Sequence, residues 1–327
     1  MLSLRRGQVS AIAERFEGLV HLAVDGDPCI AFPRLTGPVA LGDDVVVNVQ
    51  ARVLELGSGG FDVLYANLTR GLGLAPPKDA HVMKLPYTPL QAAWRHAEED
   101  GQTAGSLAGM PVVSCSLHSH LAPVCAGLGE GLRIAYVQLP GGALPVSLSD
   151  AVRTLKERGL VEVAVASGAC LDGDVASVGV ASALGWAAAQ GFDAVVCAIG
   201  PGIVGTGSAL GHGGLAAAEA VNAASALGGS AILVARASAA DERARHRGVS
   251  HHTRAALELC LGRVAVAWPA GYEAPAWLVD REDVDVSGWE DACASLPLSH
   301  MGRGPRQDPV FFAVAFAAGR LARRLVS

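Results

Sequence analysis

Asp193-Ala-Val-Val-Cys-Ala-Ile199, running straight into Gly200-Pro-Gly-Ile-Val-Gly-Thr-Gly-Ser-Ala-Leu-Gly-His-Gly-Gly214, is the stretch whose reading decides the fold. An apolar run of strand length empties into a loop in which glycine recurs. A helical segment, Leu215 to Leu227, follows. A second strand comes next, Ala231 to Ala235, then a charged loop from Arg236 to Arg247 that closes on Ser250-His-His-Thr253. Strand, glycine-rich loop and helix in that order are how α/β proteins build anion sites. Glycine lets backbone N–H groups approach a ligand, and the helix N-terminus adds partial positive charge.

The same alternation extends outward on both sides. Strands are expected at Pro111–Ser114, Leu132–Gln138, Val161–Ala166, Asp193–Ile199, Ala231–Ala235 and Arg263–Trp268. Helices are expected between them, at Leu121–Leu128, Asp150–Arg158, Val175–Gln190, Leu215–Leu227 and His251–Leu261. This pattern reads as a six-stranded, mostly parallel, doubly wound (Rossmann-like) sheet covered on both faces. Residues 1–73 read differently, as short strands (Gln8–Ala13, Leu19–Val24, Asp44–Gln50, Phe61–Tyr65) separated by glycine turns. They imply a small N-terminal β-barrel or β-sandwich domain. Arg70 to Lys78, with Pro76 and Pro77, reads as a linker. Residues 74–270 then form the α/β domain and 271–327 a C-terminal extension. Thr88-Pro89-Leu90-Gln91 has the form of a capping box and predicts a helix to about Asp100. Asp308-Pro309 predicts the start of a final helix, with Asp308 as its N-cap.

Composition narrows the function classes. Of 327 residues, 51% are hydrophobic and 17% charged, enough for a large core. The net charge of −6 comes with no basic cluster, which argues against nucleic acid as a partner. No apolar run reaches the roughly 20 residues of a membrane span, and Arg5 and Arg6 precede no long apolar stretch, so neither an anchor nor a signal peptide is expected. Seven scattered cysteines without a C-x-x-C pair fit a cytoplasmic setting. The alanine- and valine-rich chain with its apolar C-terminal helix leans toward a homodimer.

The loops leaving the strands are long and polar; the return turns are short and bland. The outgoing set is Cys115–His120, Pro140–Ser147, Ser167–Asp174, 200–214 and Arg236–Ser250. In a parallel sheet these share the carboxyl edge, where ligands bind. His118, His120, His212, His246, His251 and His252, six of the ten histidines, are thereby expected on one rim. We read Gly200, Gly202, Gly205, Thr206, Gly207, His212 and Arg236 as ligand-binding, and His118, His251 and His252 as acid/base residues. No metal-binding motif such as H-E-x-x-H is present, and no metal site is assigned; the cofactor is left open. Gly200-x-Gly202-x-x-Gly205 matches the dinucleotide fingerprint in form, but Arg236 stands where an acidic residue would end the next strand, which leaves an NADP reading. Cys115 reads as a space-filler, Ser250 as an N-cap, and Asp172 and Asp174 as caps for the helix after Gly173. The partner implied is a small phosphorylated or carboxylated molecule. The reaction expected is hydrolysis or group transfer, the alternative being a non-catalytic nucleotide- or anion-binding scaffold or sensor.

Several motifs together carry a resemblance. Leu35-Thr-Gly-Pro-Val39, His81-Val-Met-Lys-Leu85, Gly109-Met-Pro-Val-Val113, Gly141-Gly-Ala-Leu-Pro145, Gly200 to Gly207, His246-Arg-Gly248 with Ser250-His-His-Thr253, and Met301-Gly-Arg-Gly304 resemble one bacterial family. It is catalogued as a domain of unknown function, number 3866. The resemblance spans nearly the whole chain and implies no particular activity, substrate or catalytic residue.

Overall fold

A computed structural model describes residues 2–56, 59–75, 77–278 and 280–326. Pro76 of the expected linker lies outside them. The chain divides into two compact units, residues 1–94 and 95–327.

The first unit is a closed five-stranded barrel. β1 (Leu4–Phe16), β2 (Leu19–Val24), β3 (Asp27–Ala31), β4 (Asp44–Asn48) and β5 (Asp62–Asn67) close in the order β1-β2-β3-β5-β4, with short helices α1 (Pro33–Thr36) and α2 (Gln50–Val53) in the connections. Every second residue points inward, so Val20, Leu22 and Val24 meet Val45, Val47 and Leu64. The β3 strand is not apparent in the sequence because Pro28 interrupts it. It forms because Asp25 (φ +51°) and Gly26 (φ +89°) make a tight turn with both residues left-handed, which folds β3 back on β2. The helix expected after Thr88 does not form. Gln91 Oε1 accepts from Tyr87 N at 3.1 Å and Leu90 N donates to Thr88 Oγ1, so the local turn closes. Residues 87–91 are exposed, with no apolar face to drive propagation. The chain instead extends as β7 (Ala92–Trp94), paired with β6 (Val82–Lys84).

The second unit holds a six-stranded parallel sheet. β8 (Pro111–Cys115), β9 (Ile134–Leu139), β10 (Val163–Ser167), β11 (Val175–Ser177), β12 (Ala194–Ile199) and β13 (Ser230–Val234) lie in the order β11-β10-β9-β12-β8-β13. Every ladder is parallel. The sixth strand differs from the one expected. Val175–Ser177 pairs with β10 at one edge rather than starting a helix. β16 (Val266–Pro269) ladders with β17 (Arg281–Val284), and only a single bridge, Ile232 to Ala265, joins this region to β13. β12 inserts between β9 and β8, so sequence neighbours are not all sheet neighbours.

Both faces of the sheet are covered, which explains its continuous apolar strands. α3 (Leu121–Leu128), α4 (Asp150–Glu157), α8 (Trp289–Cys293) and α9 (Pro309–Leu325) share one core with the sheet. α5 (Val180–Ala189), α6 (Ala216–Ala226) and α7 (His251–Glu258) contribute to the core on the other face. α9 packs on α3 backbone to backbone: a Cβ on Gly319 would stand 2.1 Å from Val124 O, and one on Gly127 2.3 Å from Phe316 O. Phe311, Phe312 and Phe316 are fully buried, so the apolar face of this helix is spent inside its own unit rather than left for a second copy. Among the described residues no helix is long and apolar enough to cross a membrane.

Candidate functional site

The loop after β13 is pinned before it carries any chemistry. β14 (Ala237–Ser238) pairs antiparallel with β15 (Gly248–Val249), and Ser250 N donates to Arg236 O at 2.8 Å. Thr253 Oγ1 accepts from Arg236 N at 2.8 Å. Ser250 caps α7, its hydroxyl accepting from His252 N at 3.2 Å, as its sequence position implied. His251 and His252 thus open a capped helix. The same Ser250 oxygen lies 2.7 Å from His246 Nδ1. One hydroxyl therefore ties His246 to the start of α7, where His251 and His252 stand.

Their rings touch. Centroids of His251 and His252 are 4.4 Å apart, and His246 is 4.9 Å from each. His212 arrives from the glycine loop and stacks on His252 at 3.6 Å. A neighbouring stack holds His120 and His300 against Phe311, at 4.5 and 4.0 Å. Arg236 reaches between the two groups electrostatically. Its Nη1 donates to His252 Nδ1 at 3.1 Å and its Nη2 lies 3.6 Å from Asp241. Asp241 is the anionic hub: it accepts two bonds from the Arg243 guanidinium, at 2.9 and 2.8 Å, and faces Arg303 at 3.4 Å. Asp308 holds the expected N-cap position of α9, with Pro309 in the first turn, but its side chain makes no cap bond there. Its carboxylate instead accepts from Ser238 Oγ and from Ala239 N, and so anchors the histidine loop.

Burial and neighbouring cations keep these imidazoles neutral. Desolvation, then Arg236 and Arg243, push His246 down to about 3. Desolvation, then His212 and Arg236, push His252 to about 2. His300 falls to about 3, first by burial and then by Arg236. His251, half-exposed, is lowered by burial and Arg245. Burial and Arg243 draw the buried Arg236 down to about 10. Asp241 stays ionised, held below the usual carboxylate range first by its hydrogen bond from Arg243. His251 Nε2, His300 Nε2 and both nitrogens of His120 are buried with no hydrogen-bond partner. Unsatisfied buried polar atoms are uncommon and cost about 1–3 kcal/mol each, so their concentration here marks the place.

His118 is placed differently. Its Nδ1 lies 3.0 Å from Ile199 O and its Nε2 2.6 Å from Ser149 Oγ, the N-cap hydroxyl of α4. A carbonyl can only accept, so Nδ1 carries the proton and Nε2 accepts from Ser149. Both nitrogens are committed to joining β12 to α4, and burial lowers its pKa to about 4. Cys115 is buried and its thiol pushed well up by desolvation, as befits a space-filler. Asp174 does not cap a helix: it accepts from Lys156 and from Ala164 N, bracing the edge strand.

The glycine loop is mostly occupied with itself. A Cβ on Gly200 would stand 2.0 Å from Ala143 O, and one on Gly213 2.0 Å from Gly141 O. These glycines let the loop cross the 140–143 connection at backbone contact. The Val204 amide bonds Gly141 O and the Thr206 amide bonds Gly211 O. Thr206 Oγ1 lies 2.9 Å from Ser208 Oγ and donates to Gly211 O. Gly205 bridges to His212 to close a small hairpin, while Gly202 and Gly207 sit in open space at its exposed part. α6 begins only at Ala216, beyond Gly214. Of the residues read as ligand-binding, the structure gathers His212 and Arg236 with His251 and His252. It keeps His118 and the glycines in structural bonds or apart. His300, Asp241 and Arg303 were not singled out in the sequence, and Asp308 was read only as an N-cap. Their only signal was that Asp241 falls inside an outgoing loop and His300 and Arg303 inside the Leu298–Pro305 loop.

A groove in the first unit, lined by Arg34, Leu35, Leu74, Gln91 and Trp94 among others, offers no acid, base or nucleophile. The family described as "Protein of unknown function (DUF3866)" matches residues 28–319. No curated protein matches the chain.

Proposed function

The chain belongs to the DUF3866 family, and we propose that it is an enzyme that hydrolyses, or transfers a group from, a small phosphorylated or carboxylated molecule bound at the Arg236–His252 rim. The observation that carries this reading is the set of neutral imidazoles beside guanidinium groups, with His251 Nε2 buried and unpartnered. Arg243 and Arg245, at the open side, capture the anion; Asp241 fixes Arg243 in orientation. His251 is the general base. It is half-exposed, neutral at pH 7, and stands among cations that depress its basicity. An arriving anion offsets those cations and lifts the imidazole pKa toward the working pH, so that proton uptake and substrate binding reinforce one another. His252 and His246 orient the base; His118 positions α4 and is not asked to move a proton. Arg236 is already engaged by His252 and Asp241, which argues against its greeting a 2′-phosphate and so against the NADP reading. The glycine hairpin contributes His212, stacked on His252.

The test is a thermal-shift and turnover screen with phosphomonoesters, phosphosugars, nucleotides and carboxylate esters. A hit should be lost in His251→Gln, with kcat reduced about 10²–10⁴-fold. Binding that survives in His251→Gln with no turnover in either protein makes the chain a sensor. No stabilisation by any anion removes the reading.

A further inference from the structure

We infer that His246, His251 and His252 form a binding site for one divalent transition-metal ion of the zinc class. The inference rests on the same rim as the proposed enzyme and deepens that reading by naming the electrophile; with the ion bound, His251 would be a ligand, and a hydroxide held by the ion would serve as the base in place of the free imidazole. Each of the three residues offers a ring nitrogen, and these nitrogens all lie within 4.8 Å of one another. A tetrahedral ion with bonds of about 2.0–2.1 Å needs its ligands about 3.3 Å apart, a closure that small side-chain rotations supply. Three imidazoles leaving one position open is the ligand count of a catalytic rather than a structural zinc site.

The surroundings fit. His246 contacts Ser250 through Nδ1 at 2.7 Å, which leaves Nε2 for an ion and supplies the outer hydrogen bond that orients metal-ligating histidines. His251 keeps a buried Nε2 with no partner. His252 is the informative one. Arginine can only donate, so the Arg236 contact at 3.1 Å shows that the Nδ1 lone pair of His252 is directed at a cation already. An ion taking that lone pair displaces one guanidinium nitrogen of Arg236. The guanidinium has somewhere to go, because its other nitrogen is 3.6 Å from the Asp241 carboxylate. Arg236 and the metal are thus alternatives at one nitrogen. The neighbouring arginines oppose a bare cation but favour an ion whose fourth ligand is anionic, either hydroxide or an oxygen of the bound substrate. Metal and arginines then address the same negative charge.

The experiment is titration of the purified full chain with Co2+, read by visible absorption. One equivalent should give the intense d–d bands of tetrahedral Co2+ without thiolate-to-cobalt charge transfer, since the seven cysteines are not involved. His251→Ala, a half-exposed position that should leave unfolding temperature and circular dichroism unchanged, should abolish those bands. Arg245→Ala removes an exposed cation and should tighten Co2+ binding about threefold while weakening inorganic phosphate binding. Absence of tetrahedral bands, bands that persist in His251→Ala, or weaker Co2+ binding in Arg245→Ala would each overturn the inference. Phosphate stabilisation lost in His251→Ala without any Co2+ signal removes the metal and leaves the proposed function standing. A Co2+ signal with no response to any anion does the reverse.

Discussion

Two loops leave the carboxyl edge of one sheet, and they use their residues in opposite ways. The loop at 200–214 is rich in glycine and spends it on backbone contact: Gly200 and Gly213 meet Ala143 O and Gly141 O with no room for a Cβ. The loop from Arg236 to Ser250 is rich in charge and imidazole. It is anchored by β14, β15 and Asp308, and gathers around it imidazoles and a guanidinium of which Arg236 Nε, His251 Nε2 and the nitrogens of His212, lent by the glycine loop, have no hydrogen-bond partner. On the proposed reading, a ligand site is marked by polar groups that the fold has placed and not satisfied, rather than by the residue type that permits close approach.

That contrast can be broken at several points. The largest effect should come from Gly213→Ala, whose Cβ meets backbone that cannot yield; we expect about 3 kcal/mol or more of destabilisation by urea unfolding. Gly207→Ala, in open space in the same loop, should stay within about 0.5 kcal/mol. Equal costs at the two positions would undo the packing account. Next, His118→Ala should cost about 2–3 kcal/mol, because it strands Ile199 O and the Ser149 hydroxyl, while His251→Ala should cost less than about 1 kcal/mol. Per unit of pH, the smallest effect is one of slope. A histidine whose pKa is lower folded than unfolded binds its proton preferentially in the unfolded chain. Stability is therefore unaffected above 6.5 and falls as pH drops toward the folded value. For His118 this window runs from 6.5 to about 4, at about 1.4 kcal/mol per pH unit. His118→Asn should flatten acid unfolding across that window by about this amount. A steeper profile in the variant would show that the imidazole is not held neutral.

The same contrast explains what the sequence could convey. The parallel sheet was legible because strands buried on both faces must be almost continuously apolar, as β12 is throughout and β9 is but for Tyr136 and Gln138. The barrel was legible from alternation and turns, apart from β3, which Pro28 concealed. Strand order was not legible. Nothing local in β12 records that it lies between β9 and β8, because that choice is made by helices packing on both faces. The histidine rim was legible from the asymmetry between outgoing and return loops. What the sequence did not separate was the two uses of glycine, of which Gly200 and Gly213 show backbone packing. A cradle and a backbone crossing require the same residue, and only the identity of the neighbour separates them. Asp241, His300 and Asp308 were missed because their roles depend on partners far along the chain. Asp308 matched a capping pattern and is used instead to hold Ser238 and Ala239.

The measurement that bears most directly on the central claim is an NMR titration with inorganic phosphate that reads both loops at once. It follows histidine side-chain nitrogens by selective 15N labelling and backbone amides by uniform labelling. We expect the imidazole signals of His246, His251 and His252 to move together while the amides of residues 204–211 stay in place. Moving hairpin amides with still imidazoles would contradict the account and return the site to the glycine loop.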